Sequence, residues 1–175
     1  MTTGETKFKT EMISADALFE AIARQAWVSD PGWVVALRQW LAHNPELVQA
    51  RQADGSTLLH RAWAYPFLVQ ELLAHGAEAN AQNDAGLTPL YYAAKWVQAE
   101  VIQIFIAHGA DVNVVGEAGR TPLHWAALRG RSDVVHLLLA AGASKSAFDE
   151  QGKTPLQLAQ ENGKTHLGEL LSGEC

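Results

Sequence analysis

Seven histidines, nineteen carboxylates and one cysteine are the side chains of this chain that could carry out catalysis or hold a metal ion. A metal site needs three or four such ligands converging at short range, and a hydrolytic site needs a nucleophile beside a base. The spacing supports neither. No glycine-rich phosphate loop, no His-Glu-x-x-His and no Gly-x-Ser-x-Gly elbow occurs. Cys175 is the last residue of the sequence and a poor nucleophile, and the acidic residues are dispersed at expected turns and helix ends. This inventory gives no catalytic residue, no metal ligand set and no cofactor.

Composition narrows the class further. Apolar residues make up 48% and charged residues 18% of 175 positions, the balance of a folded chain with a core of its own. No apolar run approaches the roughly 18 residues that span a bilayer, and Met1 to Met12 is polar and mixed in charge. With a single cysteine there is no internal disulfide, which fits a reducing, cytoplasmic setting. Net charge is −6 without a basic run, which speaks against nucleic acid and, if anything, for a basic partner. The charge is uneven: residues 114–146 carry four basic and two acidic groups, residues 147–175 two and five.

The dominant signal is a repeat. Four segments share one pattern: Asp54-Gly55-Ser56-Thr57-Leu58-Leu59-His60, Ala85-Gly86-Leu87-Thr88-Pro89-Leu90-Tyr91, Ala118-Gly119-Arg120-Thr121-Pro122-Leu123-His124 and Gln151-Gly152-Lys153-Thr154-Pro155-Leu156-Gln157. Their threonines are separated by 31, 33 and 33 residues, and Gly76-Ala77, Gly109-Ala110 and Gly142-Ala143 recur 33 apart. Each part has a physical role. Threonine caps a helix and proline opens it without needing an amide donor. Ala93-Ala94 and Ala126-Ala127 keep that first helix thin. A second helix carries the apolar load, as in Val101-Ile102 with Ile104-Phe105-Ile106 and Val134-Val135 with Leu137-Leu138-Leu139, and ends at a glycine suited to a left-handed cap.

A period near 33 opening on Thr-Pro-Leu-His resembles the ankyrin-repeat family. The resemblance implies an all-α solenoid of four to five helix-turn-helix units joined by β-turn loops. A flexible tail is expected at 1–12 and a single domain over 13–175. Within it fall a diverged cap repeat at about 14–48, repeats at about 49–81, 82–114 and 115–147, and a C-terminal cap at 148–172. His60 and His124 then fill a motif slot where a histidine can bridge the backbone of neighbouring turns, two repeats apart and unable to share a metal. His75 and His108 precede capping glycines, His43 ends an upstream helix, and His136 and His166 fall in second helices.

The chain also departs from the pattern. The segment from Thr57 to Gly76 is two residues short, with the deletion near Ala64-Tyr65-Pro66. Leu58 stands for the proline and Trp63 for an alanine, so a helix must shift or the indole must point outward. Upstream, Asp16–Gln25 (Ala17, Leu18, Ala21, Ile22) and Trp33–Ala42 (Val34, Leu37, Trp40, Leu41) have helical spacing, broken by Asp30-Pro31-Gly32.

Family members meet partners on the concave side, through loop tips and the exposed face of the first helices. Here that implies loop-tip residues Asp84, Leu87, Glu117, Arg120, Phe148, Glu150 and Lys153, with Ala53, Asp54 and Ser56 in the short repeat. On the helices it implies Tyr65, Lys95, Trp96, Leu128 and Arg129, with Ala64 beside them. Tyr65, Trp96, Leu128 and Arg129, flanked by Leu87 and Phe148, would form a continuous sticky strip. The competing reading of Trp96 folds it over its own helix to fill space left by Val97, which replaces a helix-ending glycine; Trp125 reads as core. The function implied is protein binding by a small adaptor or stoichiometric inhibitor, monomeric when free, for instance an immunity protein that neutralises a toxin or enzyme. The alternatives are a small-ligand or enzymatic pocket near Trp63 and Tyr65, or self-association.

Overall fold

The computed structural model of the protein describes residues 15–24, 33–96 and 98–173. The expected tail at 1–12, the break at Asp30-Pro31-Gly32, Val97 and Cys175 lie outside the described residues, as do the side chains of Ala21, Ile22 and Val34. Among the described residues ten α-helices follow in order: α1 (Ala15–Arg24), α2 (Trp33–His43), α3 (Leu58–Arg61), α4 (Pro66–Ala74), α5 (Pro89–Trp96), α6 (Ala99–Ala107), α7 (Pro122–Arg129), α8 (Ser132–Ala140), α9 (Pro155–Glu161) and α10 (Gly168–Ser172). Among the described residues there is no strand, only an isolated bridge between Arg51 and Thr57. None of these helices is long and apolar enough to cross a membrane.

The threonines do what their position in the repeat demands. Thr57, Thr121 and Thr154 are extended residues that cap α3, α7 and α9, each closing a reciprocal box with the third helical residue. The Thr57 N–H donates to His60 Nδ1 (3.0 Å) and the Thr121 N–H to His124 Nδ1 (3.1 Å). An Nδ1 that accepts leaves the proton on Nε2, which donates to the next loop: to the Leu87 carbonyl (2.9 Å) from His60 and to the Lys153 carbonyl (3.1 Å) from His124. Each histidine thus caps its own helix and fastens the following repeat. In the last repeat the Gln157 amide oxygen accepts from Thr154 N–H (2.9 Å) and supplies the box without a titrating group.

Packing forms two layers. The inner row runs α1, α3, α5, α7, α9, each against the next, and the outer row runs α4, α6, α8. Close approach within the inner row rests on Ala62, Ala93, Ala94, Ala126, Ala127 and Ala159, all fully buried. Between the layers lie Leu68, Val69 and Leu72, then Val101, Ile102 and Phe105, then Val134, Val135 and Leu138. Outer helices end at Gly76, Gly109 and Gly142, whose φ values of 88°, 74° and 88° make the left-handed turn back toward the loops.

The short repeat is distorted where the deletion falls. Its inner helix stays α-helical only over Leu58–Arg61 and tightens into a 3-10 turn at Ala62–Ala64, with Pro66 starting α4 at once. Upstream, Arg38 on α2 grips Glu71 on α4 through paired bonds of 2.8 and 2.7 Å and covers the Phe67 ring, which ties the first helix pair to the repeats.

Burial holds the imidazoles of His60 and His124 below the ordinary value of 6.5. The folded value is depressed, so the unfolded chain takes up protons first as pH falls, and stability held above about pH 6.5 is lost on acidification. Urea unfolding should therefore give a plateau near neutral pH and a decline as the pH falls below about 6.5. His60→Gln/His124→Gln, which copies the Gln157 box, should flatten that slope whatever it does to stability at pH 7. An equal slope in the variant would assign the pH dependence elsewhere.

Candidate functional site

The four turn loops share one closure. Gln52, Asn83, Gly116 and Asp149 each donate N–H to the carbonyl four residues on, at 2.9, 3.0, 2.9 and 2.9 Å. Inside the loop, Asn83 Oδ1 accepts from Ala85 and Leu87, and Asp149 Oδ1 from Gln151 and Lys153. Gly116 has no side chain to do this. The third loop instead makes a 3-10 turn over Glu117–Gly119, with Ala118 at φ 57°.

Tyr91 explains the glycine. It occupies the slot that His60 and His124 fill, but a phenol reaches further than an imidazole. A β-carbon on Gly116 would lie 2.3 Å from the Tyr91 ring and 2.8 Å from Leu87. Tyr91, Leu87, Val114 and Trp125 form a second buried cluster under the loops, with Tyr92 and Leu128 packed against it. The consequence reaches the next joint. Loops one and two are linked by Asp84 N–H to the Asp54 carbonyl (3.1 Å), and loops three and four by Glu150 N–H to the Ala118 carbonyl (3.0 Å). At those joints a β-carbon on Gly55 or Gly119 would collide with Asp84 or Glu150, whereas at Gly86 it would meet nothing within 4 Å. The middle joint is open.

Over the second cluster lies a charged lattice. Lys95 Nζ donates to Glu117 (2.6 Å) and lies 5.6 Å from the Trp125 ring centroid, and the Arg120 guanidinium lies 5.0 Å from the same centroid. Arg120 Nε stands 3.6 Å from the buried Asp149 Oδ2, an attraction without a hydrogen bond. Burial pushes the Asp149 carboxyl up, but the backbone N–H groups of Lys153 and Gln151, with the Arg120 charge beside them, outweigh it and hold the carboxyl below its ordinary range. Lys95, Glu117 and Arg120 are thus brought together, around a tryptophan whose core placement agrees with its sequence slot.

The remaining expected residues separate. Leu87 is corrected: it is buried at 4% exposure, because the loop closure turns it inward into the room that Gly116 leaves. Ser56 is buried as well, while Ala53, Asp54, Asp84, Arg129, Phe148 and Glu150 are exposed. Arg120, Leu128, Tyr65 and Ala64 are half-buried, and Lys153 donates to Glu161 (2.5 Å). The continuous strip contracts accordingly, since Leu87 leaves it and Tyr65 and Leu128 turn partly into the two cores. Trp96 is 52% exposed, and its ring stacks on Trp63 of the preceding repeat at 5.6 Å and 16°. It lies across a repeat boundary and not over its own helix. One face of Trp63, which a ligand pocket would use, is covered by Trp96.

Sequence reading missed the Tyr91–Gly116 pair and the Trp63–Trp96 stack. The first had a signal: His is replaced by Tyr at 91, and the next loop has Gly where its neighbours have Asn83 and Asp149. Beside His60 and His124, His43, His75 and His108 contact the carbonyls of Gln39, Glu71 and Ile104, four residues back, and His166 contacts the Gly130 carbonyl. Among the described residues no three His, Cys, Asp or Glu side chains converge as a metal site.

A family model for ankyrin repeats matches the chain in three overlapping copies, over residues 34–115, 59–149 and 114–174. No curated protein matches it.

Because Gly116 has an ordinary φ of −128°, a methyl group there is costly through contact, chiefly with Tyr91 and to a lesser extent with Leu87. Gly116→Ala should lower unfolding stability by about 1–3 kcal/mol. Tyr91→His should relieve most of that cost, leaving a favourable coupling of about 1 kcal/mol in a double-mutant cycle by chemical denaturation. Strict additivity would mean that the two positions do not share the space.

Proposed function

The chain belongs to the ankyrin-repeat family, whose repeats serve as protein–protein interaction modules and typically not as enzymes, and from that premise we propose that it works by binding a single partner protein. The reading makes it a small adaptor or stoichiometric inhibitor acting in the cytoplasm, with the loops and inner helices as its binding face. The observation that carries it is Trp96, an indole half open to solvent yet held flat against Trp63. A stacked ring has already given up rotamer freedom, so a partner that covers it loses little further entropy. Arg129 is exposed at the equivalent position of the next inner helix, and Trp and Arg are the residue types that dominate interface energetics.

A more specific form of the proposal is an immunity protein that covers a basic toxin or enzyme. Its support is the net charge of −6 and the presence on this face of charges that are already oriented, Lys95 on Glu117 and Arg120 on Trp125. Such an interface meets a partner without reorganising, which favours a tight, one-to-one complex.

Affinity capture with the wild-type chain and with Trp96→Ala/Arg129→Ala tests the proposal, followed by light scattering of the isolated complex. Wild type should retain one protein in equimolar amount. Loss of two central side chains should weaken retention on the order of 30-fold or more. Equal retention by the double variant would move the site off this face. A wild-type chain that captures nothing and runs as a homodimer would replace the proposal with self-association.

A further inference from the structure

The turn loops carry two columns of outward side chains beside the Trp96 groove. Each loop alternates like a strand. Ala81 and Asn83 point in while Gln82 and Asp84 point out; Val114 is buried while Val115 and Glu117 are exposed; Asp149 is buried between exposed Phe148 and Glu150. In repeat register the first column reads Arg51, Gln82, Val115, Phe148, and the second Ala53, Asp84, Glu117, Glu150. The first therefore turns apolar toward the C-terminal loops, with Val115 60% and Phe148 67% exposed, and the second becomes a row of three carboxylates.

These side chains have few duties in the fold. Val115 and Phe148 lie outside both buried clusters. Glu117 shares its charge with Lys95, while among the described residues no ion pair engages Asp84 or Glu150. The cations next to the row are directed elsewhere: Arg120 onto Trp125 and Asp149, Lys153 onto Glu161. Single exposed apolar residues need no explanation. Two in register on consecutive loops, beside a carboxylate row in which Glu117 is paired while Asp84 and Glu150 are not, have the composition of an interface.

We propose that this loop face docks an extended basic segment of the partner protein, with lysine or arginine side chains meeting Asp84, Glu117 and Glu150 and an apolar side chain packing on Val115 and Phe148. The inference rests on the protein-binding reading above and names the chemistry of the partner. The spacing suits the occupant. Neighbouring helical units pack about 8–10 Å apart, and a polyproline-type chain brings every third residue to the same side after about 9 Å. A cation at every third position therefore meets one carboxylate per loop. Other occupants fit less well. Phosphates of nucleic acid or of an anionic membrane would face the carboxylate row, and a second copy docked face to face would oppose acid to acid.

The probe is a fluorescein-labelled peptide of repeating Lys-Pro-Leu, titrated by fluorescence anisotropy, with repeating Glu-Pro-Leu and a DNA oligonucleotide as controls. The wild-type chain should bind the lysine peptide alone, and less tightly as salt rises toward the ionic strength where the screening length is about 3 Å. Asp84→Asn/Glu150→Gln and Phe148→Ser, all at exposed positions, should each weaken binding on the order of tenfold, and Gln103→Ala, exposed on the outer helix α6, should leave it unchanged. No saturable binding of the lysine peptide, preference for an anionic probe, or wild-type affinity in both loop variants would overturn the loop-face inference. Binding lost in Trp96→Ala but kept in the loop variants would overturn it too, while leaving the groove proposal standing.

Discussion

Every unit of this chain depends on its neighbour coming close enough to bury what it cannot bury alone. The inner helices allow this because the side chain at the contact is a methyl group, and the six buried alanines of that row leave no exposed surface. Trp63 breaks the rule at one position. An indole in a slot sized for alanine cannot stay between two helices, so the chain yields: the inner helix tightens to a 3-10 turn, two residues are missing before Pro66, and the ring emerges to stack on Trp96. The distortion and the Trp63–Trp96 stack have one cause.

A second exchange of size governs the loops. A histidine in the fourth motif position satisfies its own helix and the next loop with one ring, and leaves room for an Asn or Asp inside that loop. Tyr91 gives up the cap bond, takes the room and leaves Gly116 as the residue that fits. The loop then shifts enough to lose the inter-loop bond that its neighbours keep. What joins the two halves of the loop face at that point is the Tyr91 hydroxyl donating to the Glu117 carbonyl (3.4 Å) and Lys95 reaching the Glu117 carboxylate, with Trp125 beneath. An ion pair of which Glu117 is half exposed contributes little to stability. The inner helices α5 and α7 carry that joint.

The solenoid, its threonine helix caps and its glycine turns were legible in the sequence because each depends on a local pattern that recurs. The bridging role of His60 and His124 was legible for the same reason, since capping geometry is set within four residues. The surface was less so. Leu87 and Arg120 follow a loop glycine, and whether such a residue faces in or out depends on the volume left by Tyr91 and Gly116, which belong to different units of the repeat. Trp63 and Trp96 meet across a repeat boundary because of a deletion whose effect on ring direction no periodicity encodes. Contacts between repeats at positions free to vary are where sequence reading stopped.

That boundary also separates scaffold from specificity. In each loop the inward residue is fixed by what it must satisfy, as Asn83 and Asp149 are by two backbone N–H groups each. Apart from Glu117, which accepts from Lys95, the outward side chains one place either side satisfy nothing within the fold, so Gln82, Val115 and Phe148, or Asp84 and Glu150, can differ without cost to the turn. A partner that reads only outward residues meets a surface whose chemistry evolves independently of its stability. Trp96 differs in kind, because its exposure is tied to the same deletion that reshapes an inner helix. Its site and the scaffold are therefore coupled, and restoring the two missing residues would be expected to alter the groove while leaving the loop columns in place.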